Sequence, residues 1–296
     1  MPEEVVCVWD VFVTATSVAD ALHQLENLRG EGQIIAGGTD LVLQTQRGLC
    51  PSRAMVDVSR IPGLDCIEAR GQFVVIGATA THARIAGSSV IRSQAPLLAQ
   101  ACGSVGGPQI RNVGTLVGNV VNALPAADGA VALFALDAEV EVTDANGRRW
   151  LPIAELYEDV GVCRVNPCVE MVTALRFRPP AARFGSDFQR LARRRALVLP
   201  IVNVGAVVRV HNDRFIEARI AVGPVAPTPY RATDAEQLLI GRPVSDDLIA
   251  RAAAAAASAA RPRPSLLRGS SEYRIAMVEV LVRRALKNAS AQAIAA

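Results

Sequence analysis

The stretch Arg178-Pro179-Pro180-Ala181-Ala182 separates two parts of the chain that follow different patterns. Adjacent prolines fix φ and remove backbone donors, so neither a helix interior nor a central strand passes through them. Before this break, short apolar strands alternate with helical spacings. After it, two long apolar strands precede three helices. The chain has 296 residues, about twice the roughly 150 typical of one domain. The expected division is residues 1–178 and residues 183–296.

The first part opens with Ser17-Val18-Ala19-Asp20, a capping-box pattern, followed by Leu22, Leu25 and Leu28 at helical spacing. Strands are expected at Gln33–Ala36, Ala54–Asp57 and Phe73–Ile76, with a short helix over Leu41–Gln46. Strands alternating with helices argue for a parallel sheet at this end. Thr79 or Thr81 caps a short helix running through Ile85. Another helix spans Ala95–Cys102, with Pro96 near its start. A polar, glycine-rich stretch from Gly103 to Asn119 comes next, then a buried helix over Ala126–Leu136. Val140 and Val142 alternate with Glu139 and Glu141 before Asn146-Gly147, a hairpin signal, and Met171–Phe177 is the last strand.

Beyond the prolines, Ile201–Val210 and Phe215–Val222 form a hairpin turning at Asn212-Asp213. Pro224, Pro227 and Pro229 mark a loop. Helices follow at Thr233–Leu239, with a Thr233–Glu236 capping box, at Asp246–Ala260 and at Glu272–Lys287.

Composition narrows the function classes. Apolar residues make up 51% of the chain, enough for a sizeable core. Thirty-one basic against 28 acidic residues leave a net charge of +3, too small for a nucleic-acid footprint, and aromatics at 4% offer few stacking platforms. No run of about 18 apolar residues suggests a membrane span. The start, Met1-Pro2-Glu3-Glu4, lacks the features of a signal peptide, so a cytoplasmic location with reduced cysteines is expected. Cys7, Cys50, Cys66, Cys102, Cys163 and Cys168 are scattered rather than spaced as metal ligands.

Three segments could carry chemistry. Ile35-Ala36-Gly37-Gly38-Thr39-Asp40 lies between a strand and a helix, where paired glycines let backbone N–H groups approach an anion such as phosphate. A tight turn explains the same glycines without a ligand. Gly114-Thr115-Leu116-Val117-Gly118-Asn119, continued by Asn122 and Asp128, concentrates hydrogen-bonding groups suited to phosphates and ribityl hydroxyls. With Gln109, Arg111 and Asn112 nearby, its polar density favours a site over a plain connection. In Phe188-Gln189-Arg190-Leu191-Ala192-Arg193-Arg194-Arg195, four arginines could hold an anion or an acidic partner, although a charge run more often forms a solvated face. His23, His82 and His211 show no triad or ligand spacing and read as structural or surface residues.

Together these segments resemble the FAD-binding medium subunits of molybdenum hydroxylases, the family of the carbon monoxide dehydrogenase and xanthine dehydrogenase flavoprotein subunits. The likeness rests on Ala36-Gly37-Gly38-Thr39-Asp40-Leu41, Ile76-Gly77-Ala78-Thr79-Ala80-Thr81-His82, and Pro108 through Thr115. It continues in Gly118-Asn119, Pro125-Ala126-Ala127-Asp128, Ala135-Leu136-Asp137-Ala138, Val225 through Arg231, and the Tyr273-Arg274 helix with Val282 through Leu286. It covers nearly the whole chain in order.

The resemblance implies an α+β protein. Its FAD-binding region is of the vanillyl-alcohol-oxidase type, with subdomains at about residues 1–57 and 58–178. A C-terminal domain with a small antiparallel sheet and a helical bundle follows. FAD contacts carried over by motif are Gln33, Ile34, Ile35, Ala36, Gly37, Gly38, Thr39 and Asp40 in the first loop, and Gly114, Thr115, Leu116, Val117, Gly118 and Asn119 in the second. Asn122, Asp128, Val105 near the flavin ring and Arg190 after the linker complete the set, with no catalytic or metal-ligating residue expected. Two residues depart from the pattern: Val117 replaces the first glycine of a pair, and Leu124 replaces a small or polar residue before Pro125.

The implied role is electron transfer from iron–sulfur centres through FAD to an external acceptor. The molybdenum cofactor and clusters would sit on a large and a small partner subunit, in a heterotrimer or dimer of heterotrimers. A stand-alone FAD-dependent oxidoreductase, and a non-redox scaffold subunit that has lost FAD, are the alternatives.

Overall fold

The computed structural model describes residues 9–50, 52–181 and 183–296. The acidic start, Cys7 and Ala182 of the proline break lie outside the described residues. Within them the fold is α+β.

At the N-terminal end, β1 (Val11–Thr14), α1 (Val18–Asn27), β2 (Gly32–Ile35), α2 (Leu41–Gln46) and β3 (Ala54–Asp57) build a parallel three-stranded sheet in the order β1-β3-β2. β1, a Val11-Phe12-Val13-Thr14 run of β-branched and aromatic residues, completes this sheet although it is four residues long and mostly exposed. Ser17 caps α1, accepting from the Asp20 N–H at 3.0 Å. Asp20 returns its carboxylate to the Thr16 N–H rather than to Ser17.

Next come β4 (Ile67–Arg70), β5 (Phe73–Gly77), α3 (His82–Gly87), α4 (Ser89–Gln94), α5 (Pro96–Ser104), α6 (Pro108–Val113), α7 (Leu116–Val121), α8 (Asp128–Ala135), β6 (Glu139–Asp144) and β7 (Gly147–Pro152). Then β8 (Tyr157–Asp159) pairs with β9 (Val162–Cys163), and β10 (Met171–Phe177) closes the region. The main sheet here is antiparallel, ordered β4-β5-β10-β6-β7. α8 is buried along its whole length, as an uninterrupted apolar run requires.

After the prolines, β11 (Phe184–Leu191), β12 (Val202–His211), β13 (Arg214–Gly223) and β14 (Tyr230–Arg231) form a four-stranded antiparallel sheet. Asn212 and Asp213 both take positive φ, 48° and 56°, as a tight hairpin demands. α9 (Thr233–Leu239), α10 (Asp246–Ser258) and α11 (Ser271–Ala295) cover this sheet. The expected Thr233–Glu236 capping box does not form. Glu236 instead accepts from the Ile220 N–H and from Arg231, buried partners that outcompete a local cap. α11 runs two turns past its expected end because Ala289, Ser290 and Ala293 are buried, and Gln292 accepts from the Ser186 N–H of β11.

Two apolar cores result. They meet where α8 lies on β12 and β13. There Gly205 leaves room for Ala135, whose Cβ lies 3.1 Å from where a Cβ on the glycine would stand.

Candidate functional site

The first glycine segment leaves β2 at Ile35 and enters α2 at Leu41. Gly38 takes φ +65°, a conformation that disfavours any side chain. Gly37 serves a different need. A Cβ there would overlap the Val113 carbonyl oxygen and stand 2.9 Å from the Gly114 Cα, so the first loop is packed directly against the end of α6. The backbone N–H groups of Gly37, Gly38, Thr39 and Asp40 donate to no acceptor among the described residues. Behind the loop, Gln33 accepts from the Ser52 hydroxyl at 2.9 Å, and the Ile34 N–H donates to the Pro167 carbonyl.

The second segment is helical rather than an open loop, with α6 and α7 joined at Gly114-Thr115. Thr115 is the N-cap of α7, its hydroxyl accepting from the Gly118 N–H at 3.0 Å. The Gly114 carbonyl accepts from the His82 N–H at 3.0 Å, and the Leu116 N–H donates to the Ala80 carbonyl, fastening the segment to the start of α3. Val117 lies inside α7, buried and without positive φ, so valine is unstrained there. The sequence alone left the backbone of this departure open.

Gln44 of α2 donates to Asn122 after α7 at 3.2 Å, a second link between the two segments. Asn119 directs a buried carbonyl oxygen that no described residue satisfies, and the Nδ1 of His82 is buried without a partner. Orphaned buried polar atoms of this kind ordinarily have a missing partner. His82 packs between the two glycines at positions 114 and 129 and is 2% exposed. Burial, aided by nearby Arg111, pushes its pKa down to about 4, so it is neutral at physiological pH. Sequence spacing gave His82 no partner; the signal that could have placed it is its position one residue after Thr81, which bridges to Thr115.

Val105 ends α5, and its carbonyl accepts from the Arg111 guanidinium at 2.9 Å. Asp128 and Arg190 meet across the seam between the two cores. Arg190 Nε donates to one Asp128 oxygen at 2.9 Å, and the Asn203 amide donates to the other at 2.7 Å. Arg190 also donates to the Val198 carbonyl. Burial pushes the Asp128 carboxyl up, while Arg190 and Asn203 draw it back. Both side chains are therefore engaged with each other rather than free. Among the described residues, no group of three or more His, Cys, Asp or Glu side chains is placed to hold a metal ion.

Residues 8–179 match the family described as the FAD binding domain in molybdopterin dehydrogenase. The chain belongs to this family. Residues 188–289 match the carbon monoxide dehydrogenase flavoprotein C-terminal domain. The xanthine dehydrogenase FAD-binding subunit of Escherichia coli O157:H7 is 30% identical over 281 residues, covering 94% of this chain and 95% of that one. The 6-hydroxypseudooxynicotine dehydrogenase complex subunit alpha of Paenarthrobacter nicotinovorans is 33% identical, covering 94% and 93%. Among solved structures, a carbon monoxide dehydrogenase chain from Hydrogenophaga pseudoflava superposes with a TM-score of 0.91 at 29% identity, covering 95% of this chain and 97% of that one. The two family matches together span nearly the whole chain, the FAD-binding domain up to residue 179 and the flavoprotein C-terminal domain from residue 188. Unpaired N–H donors, orphaned polar atoms and glycines without room for a side chain suit a phosphate-bearing dinucleotide, so the residues present fit FAD.

Proposed function

We propose that this chain is the FAD-carrying electron-transfer subunit of a cytoplasmic molybdenum hydroxylase. It would assemble with a molybdenum-containing large subunit and an iron–sulfur small subunit as a heterotrimer or a dimer of heterotrimers. Electrons removed from substrate on the large subunit pass through iron–sulfur centres to this chain and on to an external acceptor. The names of the relatives support the assembly. The observation that carries the reading is the direct contact of Gly37 with Val113 and Gly114, which sets a row of unpaired donors beside the polar end of α7.

Bound FAD supplies a carrier that accepts an electron pair and releases it singly or together. The residues proposed to hold it are Gln33 to Asp40, Gly114 to Asn119, Asn122, Asp128, Val105 and Arg190. The free N–H groups of Gly37–Asp40 would donate to its phosphates, and Thr115 keeps the α7 entry in shape. Asp128 and Arg190 bind each other, joining α8 to β11 across the seam between the two cores. Val117 removes no donor, so the motive for a scaffold that has lost FAD falls away.

The experiment is substrate-driven flavin reduction. In the reconstituted complex the flavin should bleach on adding substrate, and omitting the iron–sulfur subunit should stop bleaching while FAD stays bound. Reduction of the isolated chain by substrate would assign a stand-alone oxidoreductase instead.

A further inference from the structure

The arginines following β11 fall into two groups. Arg190 is locked in the seam with Asp128, and Arg194 donates to the carbonyls of Ala196 and Leu197, bracing its own loop. Arg193 and Arg195 are exposed and have no ion-pair or hydrogen-bond partner among the described residues. Their loop, residues 192–200, is fastened to the segment that leads into α6. The Leu197 N–H donates to the Gly106 carbonyl at 3.1 Å, and the Leu197 side chain lies 3.3 Å from where a Cβ on Gly107 would stand. α6 begins at Pro108, next to this attachment, and ends at Val113, the residue against Gly37, so this six-residue helix links the arginine loop to the first glycine segment. Leu197 is 60% and Leu199 51% exposed on this loop.

We infer that Arg193 and Arg195, on one exposed loop with Leu197 and Leu199, form the docking surface for an acidic electron-acceptor protein. The inference rests on the reading that electrons leave the complex through FAD on this chain. Neither arginine is needed to hold the loop, because Arg194 does that. Two unpaired cations and two exposed leucines on one loop combine positive and apolar surface. Such a surface steers an oppositely charged protein and holds it briefly, as befits an encounter burying under about 1,200 Å². Residues 193–197 and Leu199 are all exposed, which suits a protein face better than a nucleotide.

The full-length, flavin-loaded chain tests this after reduction by dithionite. Stopped-flow mixing with oxidised plastocyanin, an acidic one-electron acceptor, is compared with oxidised cytochrome c, a basic one. Two acceptor molecules each take one electron per flavin reoxidised, and two protons pass to water. The plastocyanin rate should fall about tenfold from low to high ionic strength, and the cytochrome c rate should not. The pair Arg193→Glu and Arg195→Glu should slow plastocyanin at low salt by at least about tenfold, with flavin content unchanged and cytochrome c no slower. The pair Arg193→Lys and Arg195→Lys should restore most of the rate. Equal rates for the glutamate pair and the native chain, or equal losses with both acceptors, overturn the inference. Purification without flavin overturns the electron-transfer reading as well. A complex that bleaches with substrate but shows a salt-independent plastocyanin rate overturns the docking surface alone.

Discussion

The glycine segment at residues 36–40 and the one at residues 114–119 look alike in sequence but use glycine for different reasons. In the first, Gly38 takes φ +65° and Gly37 presses on the backbone of Val113 and Gly114, so one position needs the conformation and the other needs the space. In the second, Gly114 and Thr115 have ordinary φ values of −64° and −99°, and the segment is a helix entry capped by threonine. The first segment is intolerant of side chains at its backbone contact, whereas the second accepts valine inside its glycine motif. A glycine-rich signature therefore marks where a ligand comes close without saying which glycines are obligatory.

Substitutions that separate these two uses differ in size. Gly37→Ala should have the largest effect, because its Cβ meets backbone atoms that cannot rotate away. Overpacking of about 3 kcal/mol, about a hundredfold in FAD affinity, is expected, with the fold intact by circular dichroism. Fluorescence titration of the apoprotein with FAD measures it, and an affinity within about threefold of native would mean that the inter-loop contact gives way.

The support behind the second segment is sensitive to pH. His82 has its pKa lowered from 6.5 to about 4 in the folded chain, so the unfolded chain takes up the proton first as pH falls. Its stabilising contribution is fully present above about pH 6.5 and is lost as the pH drops toward 4. Between pH 7 and pH 5 the loss should be about 2 kcal/mol, read from urea unfolding, and His82→Leu should remove that part of the slope. An unchanged slope in the variant would place the titrating group elsewhere.

A smaller effect is expected for Gly118→Ala, whose Cβ would lie 2.9 Å from the Thr115 hydroxyl oxygen. That hydroxyl rotates, so the cost is the cap, about 1 kcal/mol and about fivefold in FAD affinity. A loss as large as that of Gly37→Ala would erase the contrast between the segments. Val117→Ala should lower thermal stability by removing buried methyl groups yet leave flavin content at the native value. Flavin absorbance per chain checks this, and a drop would show that the valine contacts the cofactor.

Much of the fold is legible in the sequence where periodicity and breakers agree. Leu41–Gln46, Ala54–Asp57, Met171–Phe177 and Thr233–Leu239 have the bounds their patterns suggest. Short elements that depend on distant partners are not legible. β4 carries little apolar signal and exists because β5 pairs with it, while the four apolar or β-branched residues of β1 are too few to mark a strand until β3 pairs with them. α6 and α7 sit in a stretch punctuated by Pro108, Gly114 and Gly118, and tertiary bonds from His82 and Leu116 hold them against that local bias. Both glycine segments are visible in the sequence, but their contact through Gly37 and Val113 is not, since it joins residues far apart in the chain. The engagement of Asp128 by Arg190 and Asn203 is equally long-range.

The central claim is that the two segments act as one cradle for FAD, with the free N–H groups of Gly37–Asp40 meeting the cofactor. Amide hydrogen exchange of the apoprotein, with and without added FAD, tests this most directly. Exchange should slow at residues 37–40 together with residues 115–119, with little change in α9 or α10. Protection confined to one segment, or absent from both while FAD is bound, would contradict it.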